Sequence, residues 1–520
     1  MQPRRLAKPK GRRSQESGKP ALHKPAPARR APVAAKPLCW HNHCVNTTDQ
    51  HEQRWLTLAV CCMSLLIVSL DSTIVNIALP SIRRDLHTSL SGLQWTVDGY
   101  VLVLAMLLMM SGSLGDRLGR RRVFRTGLAL FTLGSLLCSV APALGWLVAF
   151  RMLQALGGSM MNPVAMGIIV NTFRDAGERA RAIGAWGAVV GVSMALGPVV
   201  GGALVAAAGW RSVFWVNIPI GLTALALTWF YVPESRASRA RAIDPVGQIL
   251  VIALLGSLTY AIIEAPTRGW HSTITLTLFA VSAIAAAALV IVESRRAEPL
   301  IDLRFFRSAP FSSATLTAVA SFAALGIFLF VNTLYLQNVR GYSAIVAGLL
   351  TLPMAAVAGI SSPLSGRLVA ARGDRIPLIV SGAAIAVGAA LLLDMSPHTP
   401  LAQLLVAYAI VGLGFGVVNA PITNTATSGM PRAQAGVAAA IASTSRQVGV
   451  SLGVAISGSL LASMSGARFT THAVWAIMLG CGLAVVVLGV VGTGRWAAST
   501  ANRTRHLLHR EGAEHELVLR

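Results

Sequence analysis

The sequence predicts an all-α integral membrane protein of fourteen spans with both termini in the cytoplasm. Three observations carry that prediction. Of 520 residues, 54% are hydrophobic and 12% charged, whereas soluble domains carry about 25% charge. The apolar residues fall in continuous runs about 20 long, the length of a helix crossing the hydrocarbon layer, not in the alternating runs of about 10 that build a β-barrel. The arginines are distributed unequally between alternate loops.

The first 54 residues differ from the rest. They hold all five lysines of the chain, 12 Lys and Arg in total against Glu16, Asp49 and Glu52, and seven prolines before residue 38. With no apolar period, 1–54 reads as a disordered basic cytoplasmic tail beside anionic lipid, and no nucleic-acid partner is expected. No apolar h-region or cleavage site precedes the first run, so no signal peptide is assigned. Cys39-Trp-His41-Asn-His43-Cys44 offers two thiols and two imidazoles, but its spacing is not that of a usual zinc finger, and no metal site is assigned. The remaining cysteines, Cys61, Cys62, Cys138 and Cys481, lie inside apolar runs and read as packing residues.

Apolar segments follow at about 55–80, 93–113, 123–141, 146–170, 183–208, 213–232, 246–264, 273–292, 311–336, 345–365, 377–395, 400–427, 435–463 and 473–494. Loops after even-numbered segments hold 19 arginines, counting Arg125 at the start of the third segment, and loops after odd-numbered ones six. Positive charge stays on the cytoplasmic side, so the even loops and both termini, including 496–520, are assigned there. Gly112-Ser-Leu-Gly-Asp116-Arg117-Leu-Gly119 and Gly366-Arg-Leu-Val-Ala370-Ala-Arg-Gly373 share glycines at an offset of 254. Gly191-Val-Ser and Gly449-Val-Ser repeat at 258. The agreement predicts two related six-helix halves, 55–232 and 309–495, joined by two extra helices within 233–308. Two such halves around a central path describe an alternating-access transporter.

Charges stranded in apolar runs are the candidate machinery, because an ionised group in hydrocarbon costs several kcal/mol unless it pairs or faces water. Among the acids only Asp71 and Asp98 fall well inside a segment, and among the cations only Arg151 and Arg446. The segment directions place Asp71, Asp98 and Arg151 in the outer half of the first bundle. An acid between desolvation and a neighbouring arginine can load and release a proton as access alternates. Asp98 equally suits a cationic substrate. Arg446 reads as a packing, gating or substrate residue. Gly197-Pro198-Val-Val-Gly201-Gly202, with Gly191 before it, suggests a bend and close helix packing.

These motifs, in this order, resemble the Major Facilitator Superfamily, and within it the fourteen-helix drug:proton antiporter branch that includes quaternary-ammonium and methylenomycin exporters. The resemblance spans roughly 55–495. Leu70-Asp71-Ser-Thr-Ile-Val-Asn76-Ile-Ala-Leu79-Pro80 is similar to the branch's first-helix signature, and Gly112 through Arg122 to the loop motif between helices 2 and 3. Arg151-Met-Leu-Gln154-Ala155-Leu-Gly157-Gly158 resembles the fourth-helix motif, with Ala155 where Gly is usual. Gly191 through Gly202 resembles the antiporter motif. Gly209-Trp210-Arg211 through Asn217-Ile-Pro219-Ile-Gly221 also fits.

The resemblance implies roles for matching residues. Gly112, Asp116, Arg117, Gly119 and Arg120 form a cytoplasmic charge latch. Asp71, Asp98 and Arg151 couple to protons, while Asp98, Asn76 and Arg446 meet substrate. Gly191, Gly197, Pro198, Gly201 and Gly202 form a flexible, leak-limiting seam. The second loop copy has Ala370 where the first has Asp116, which argues against a second complete latch. The expected function is proton-coupled export of hydrophobic or cationic compounds by a monomer in a bacterial plasma membrane, with no cofactor beyond the proton gradient. A dedicated exporter of one metabolite and a membrane receptor or scaffold using the basic tail stand as alternatives. No P-loop or HExxH motif favours an enzyme.

Overall fold

A computed structural model describes residues 47–173, 175–236, 244–296, 299–431, 434–463 and 472–518. The Cys39, His41, His43 and Cys44 segment and the tail before residue 47 lie outside the described residues. The chain divides between Gln50 and His51 into two units, and the architecture below is that of His51–Arg520.

In order, the helices are α1 (Thr47–Asp85), α2 (Leu90–Leu118), α3 (Arg120–Ser139), α4 (Leu144–Thr172), α5 (Ala176–Ala208), α6 (Ser212–Trp215), α7 (Asn217–Tyr231), α8 (Pro245–Arg268) and α9 (Thr273–Arg295). After a 3-10 turn at Leu303–Arg307 come α10 (Ala309–Leu334), a π turn at Tyr335–Val339, α11 (Ala344–Leu350), α12 (Leu352–Arg372) and α13 (Arg375–Leu392). They are followed by α14 (Leu401–Thr427), α15 (Ala435–Ser463), α16 (His472–Gly492) and α17 (Arg495–Val518). All fourteen apolar segments read from the sequence hold helix. Eleven helical stretches among the described residues are long and apolar enough to cross a membrane. α3, α5 and α15 are not among them. Arginines at the start of α3 and Arg446 with Gln447 in α15 lower the mean hydropathy of those helices, and the described apolar stretch of α5 is Leu196–Ala208.

Local chemistry sets the helix ends. Ser89 caps α2 by accepting from the Gly92 N–H, Asp175 caps α5 through Gly177 and Glu178, and Asp244 caps α8 through Gly247; each satisfies a donor that the first turn leaves unpaired. α2 stops at Gly119, whose φ of +108° is a left-handed conformation suited to glycine. A side chain there would also strike the Glu234 carboxylate.

In the first half α3 packs on α4 and α7, and α4 on α2; in the second, α10 packs on α15 and α16, and α14 on α12 and α13. α8 pairs with α9 and rests on both α2 and α15. The halves meet through α2 on α15 and through α5 on α11 and α12. Two glutamines bond across between them at one end of the molecule. Gln94 donates to the Ala455 carbonyl at 2.8 Å and Gln337 to the Ile77 carbonyl at 2.9 Å. Lower along α2, Met109 packs on a second apolar cluster built from Phe311, Ile422, Ile441 and their neighbours. That cluster also receives Leu508 of α17, so the segment read as a C-terminal tail is a helix docked beneath the second half.

Candidate functional site

Five helices converge on one buried carboxylate. Asp71, on α1, has no solvent exposure, and Arg151, on α4, is 1% exposed. One Asp71 oxygen takes the Arg151 guanidinium. The other accepts from Gln154 Nε2 at 2.9 Å and from Asn217 Nδ2 at 3.0 Å. Gln154 lies one turn beyond Arg151 and returns its own Oε1 to that guanidinium at 2.9 Å. Asn217 is the first residue of α7, set there by the break after α6. Ser135 on α3 accepts from Asn217 at 3.1 Å and donates to the Phe214 carbonyl at 2.9 Å.

The remaining face of Arg151 is covered by α2. Its Nε donates to the Thr96 carbonyl at 3.3 Å, and its guanidinium lies 4.1 Å from the centre of the Tyr100 ring. A delocalised, planar cation suits such a stacked and multiply bonded position. Both charges are therefore satisfied without water, the condition for an ion pair to persist at this depth. Gln154 and Asn217 stand in the quoted motifs but were not expected as site residues. The signal for Gln154 was its i+3 spacing from Arg151, which puts both on one helix face.

The structure does not bring all three expected coupling residues together. Thr96 and Tyr100 face Arg151, and Asp98 stands midway between them, about 200° around the helix at 100° per residue. Its side chain is fully buried with the Ser451 hydroxyl of α15 as a neighbour, and neither carboxylate oxygen makes a hydrogen bond of good geometry among the described residues. Asp98 thus lies outside the Asp71–Arg151 network. Ser451 sits in Gly449-Val-Ser451-Leu-Gly453, which spells a nucleophile-elbow pattern but lies inside the unbroken helix α15; the strand–turn–helix context that pattern needs is missing there.

Asn76 donates to the Ser72 carbonyl of its own helix at 3.1 Å, and its buried Oδ1 has no donor among the described residues. Arg446 donates to Thr423 Oγ1 at 2.6 Å and Ser443 Oγ at 3.1 Å, with no acid against it among the described residues. Glu264 accepts from the Trp95 indole at 3.2 Å, tying α8 to α2. Asp394, near the end of segment 377–395, is 89% exposed.

At the opposite end of the bundle, the Asp116 carboxylate holds Arg120 at 2.8 Å. Arg120 reaches the Gly167 carbonyl on α4 at 3.3 Å, and its backbone N–H donates to the Ser235 carbonyl. Gly112 packs 3.7 Å from Pro163 of α4, as measured from the Cβ it lacks. Arg117 is exposed beside them. The second half, where Ala370 argues against a complete charge latch, holds a hydrogen-bonded pair instead. Asp374, four residues later, accepts from Asn424 Nδ2 of α14 at 2.9 and 3.0 Å. Asn424 stands 257 residues after Gly167, in line with the other repeat offsets. Burial pushes the Asp374 carboxyl above its usual range, against the hydrogen bonds from Asn424 and Thr425.

The glycines of α5 serve close approach on two sides. A side chain on Gly197 would meet Thr73, and one on Gly201 would meet Ile74, both of α1. One on Gly202 would lie 2.6 Å from the Ala344 carbonyl, while the Pro198 carbonyl sits where a side chain on Gly348 would be. α5 runs unbroken through Gly191 and Pro198.

The family model described as Major Facilitator Superfamily matches residues 61–454. The chain is 39% identical over 417 residues to the multidrug resistance protein Stp of Mycobacterium tuberculosis, covering 80% of this chain and 78% of that protein. It is 38% identical over 417 residues to the tetracenomycin C resistance and export protein of Streptomyces glaucescens, covering 80% and 77%. The inward open structure of the xylose transporter XylE from E. coli aligns with a TM-score of 0.57 at 14% identity, over 84% of this chain and 95% of that one. That likeness concerns the fold alone.

Proposed function

We propose, from the premise that this chain belongs to the Major Facilitator Superfamily, that it exports hydrophobic or cationic compounds from the cytoplasm in exchange for protons. It is a multi-pass transporter of the bacterial inner membrane. Relatives named for multidrug resistance and for export of an antibiotic support efflux as its direction of work. In this reading the polypeptide crosses fourteen times with both termini inside and acts as a monomer. The halves are α1–α7 and α10–α16, with α8 and α9 added between them.

The observation that carries proton coupling is the fully buried Asp71–Arg151 pair. A proton on Asp71 removes the negative charge that holds Arg151, while Gln154, Thr96 and Tyr100 still accommodate the cation. The next two turns of α1 carry Thr73 and Ile74 against the α5 glycines and the Ile77 carbonyl against Gln337. A change in how α1 is tied to α4 is thereby felt where the halves close. We assign this closed end to the outside, since the arginine-rich loops lie opposite. Asp98, Asn76 and Arg446, each with a buried polar atom unmatched among the described residues, are the proposed substrate contacts.

Purified protein in vesicles with an imposed pH gradient and a panel of compounds tests this. Counterflow of protons and drug is expected from the wild type and none from Asp71→Asn. Full efflux by that variant would sink the role of Asp71. Transport of a single compound would favour a dedicated exporter, and loss of flux on deleting residues 1–50 would favour a tail-dependent receptor.

A further inference from the structure

Arg446 is the cation that the second half strands inside an apolar segment, and no acid of that half answers it. Residues 309–495 hold two acids, Asp374 and Asp394. Asp374 is taken by Asn424 of α14, and Asp394 lies 89% exposed beyond the end of α13. What faces Arg446 is hydroxyl and aromatic. Its guanidinium donates to Thr423 Oγ1 of α14 at 2.6 Å and to Ser443 Oγ of α15 at 3.1 Å, and it lies 5.9 Å from the centre of the Phe322 ring of α10. Its Nε is buried with no acceptor among the described residues. Arg446, Thr423, Ser443 and Phe322 are all half-buried, and α15 touches α14 far less than it touches α10. Arg446 thus reaches Thr423 across a loose junction between packed helices. Ile422, beside Thr423, and Ile441, earlier on α15, belong to the apolar cluster that also takes Phe322.

Hydroxyl groups satisfy N–H donors but do not cancel charge, and an uncompensated guanidinium in hydrocarbon costs several kcal/mol. Arg151 is compensated by Asp71, whereas Arg446 is left open. We propose that Arg446 receives the carboxylate of an amphipathic organic acid whose aromatic body lies against Phe322, so that the transporter takes organic acids besides cations. A planar guanidinium matches a carboxylate through two parallel hydrogen bonds. The hydroxyls of Thr423 and Ser443 hold that fork in place and, while accepting from it, can still donate. An inorganic anion would use the charge and leave Phe322 unused. A cationic compound is repelled here and belongs at Asp98. The proposal rests on the reading of Arg446 as a substrate contact and is independent of proton coupling at Asp71.

The test is equilibrium binding of naphthoate and of its uncharged methyl ester to the purified full chain in detergent, with no pH gradient. Wild type is expected to bind naphthoate more tightly than the ester. Arg446→Gln should weaken naphthoate about thirty-fold, the effect of one charged hydrogen-bonded contact, and leave the ester within about two-fold. Arg446→Lys, which keeps the charge without the fork, should fall between. Phe322→Ala should weaken both ligands, and Arg367→Gln, at an exposed arginine of the same half, should change neither. Equal affinity for acid and ester in the wild type, or undiminished naphthoate binding in Arg446→Gln, would overturn the proposal. Parallel loss of acid and ester in that variant would overturn it too, since a merely structural arginine predicts that. So would displacement of naphthoate by millimolar chloride, the mark of a simple anion site, or unchanged binding in Phe322→Ala. Proton-driven efflux of cationic compounds by a protein that shows no preference for naphthoate would sink this assignment alone. A preference for naphthoate in a protein without proton-driven flux would sink the coupling and leave the anion site standing.

Discussion

Thr96 and Asp98 lie two residues apart on α2 and face opposite ways. The Thr96 carbonyl receives Arg151, whereas the Asp98 carboxylate is buried toward α15 with neither oxygen hydrogen-bonded among the described residues. One helix thus separates two buried acids into different environments: Asp71 is held by a cation and two amides, and Asp98 stands at the seam between halves.

The first prediction follows from the asymmetry of the Asp71–Arg151 pair. Asp71→Asn leaves a buried guanidinium that cannot shed its proton, at a cost of about 3–5 kcal/mol. Arg151→Gln leaves a carboxylate that can take up a proton, so it should cost less. The double variant should be more stable than Asp71→Asn alone. Thermal unfolding of the four proteins in detergent checks the order, and all three variants should lack proton-driven efflux.

Asp98 behaves differently because it has no cation to abandon. Asp98→Asn should leave unfolding temperature equal or raised, since a buried unpartnered carboxylate is replaced by a neutral group. The pH dependence of transport and the preference for cationic compounds should both change. A fall in stability matching that of Asp71→Asn would contradict the assignment.

Close packing at the seam gives a third expectation. Gly202→Ala puts a methyl group 2.6 Å from the Ala344 carbonyl and 2.8 Å from the Ile345 Cα, backbone atoms that cannot step aside. α5 must move off α11, so a cysteine probe on the 340–343 loop should gain reactivity. Gly359→Ala, with nothing within 4 Å, should leave it unchanged. Equal reactivity in both variants would show that the contact does not hold that end closed.

The Asp374–Asn424 clamp should respond to pH. Burial raises the Asp374 carboxyl above its usual range, so folding favours the protonated form. The stabilisation it adds is complete below the ordinary carboxylate range, about pH 4, and is lost as pH rises through the raised value toward neutrality. Unfolding temperature followed across that window should show a falling component in the wild type that Asp374→Asn lacks. Identical profiles would remove Asp374 as its source.

The sequence by itself determined the class of protein, the helical segments and the two charges that matter most. Apolar run length and the cost of charge in hydrocarbon are local properties, legible one residue at a time. Asp71 and Arg151 were found this way, 80 residues apart. Only the tertiary structure decided which buried charges meet, because that depends on the rotation of each helix about its own axis and on which helices become neighbours. Rotation set Asp98 apart from the pair and brought Gln154 and Asn217 into it. Neighbourhood decided that the close packing read from the α5 glycines is made with α1 and α11. It also let Asp374 serve the second clamp, because the chain needed an acid near Asn424 in space, not at the position of Asp116 in a repeat.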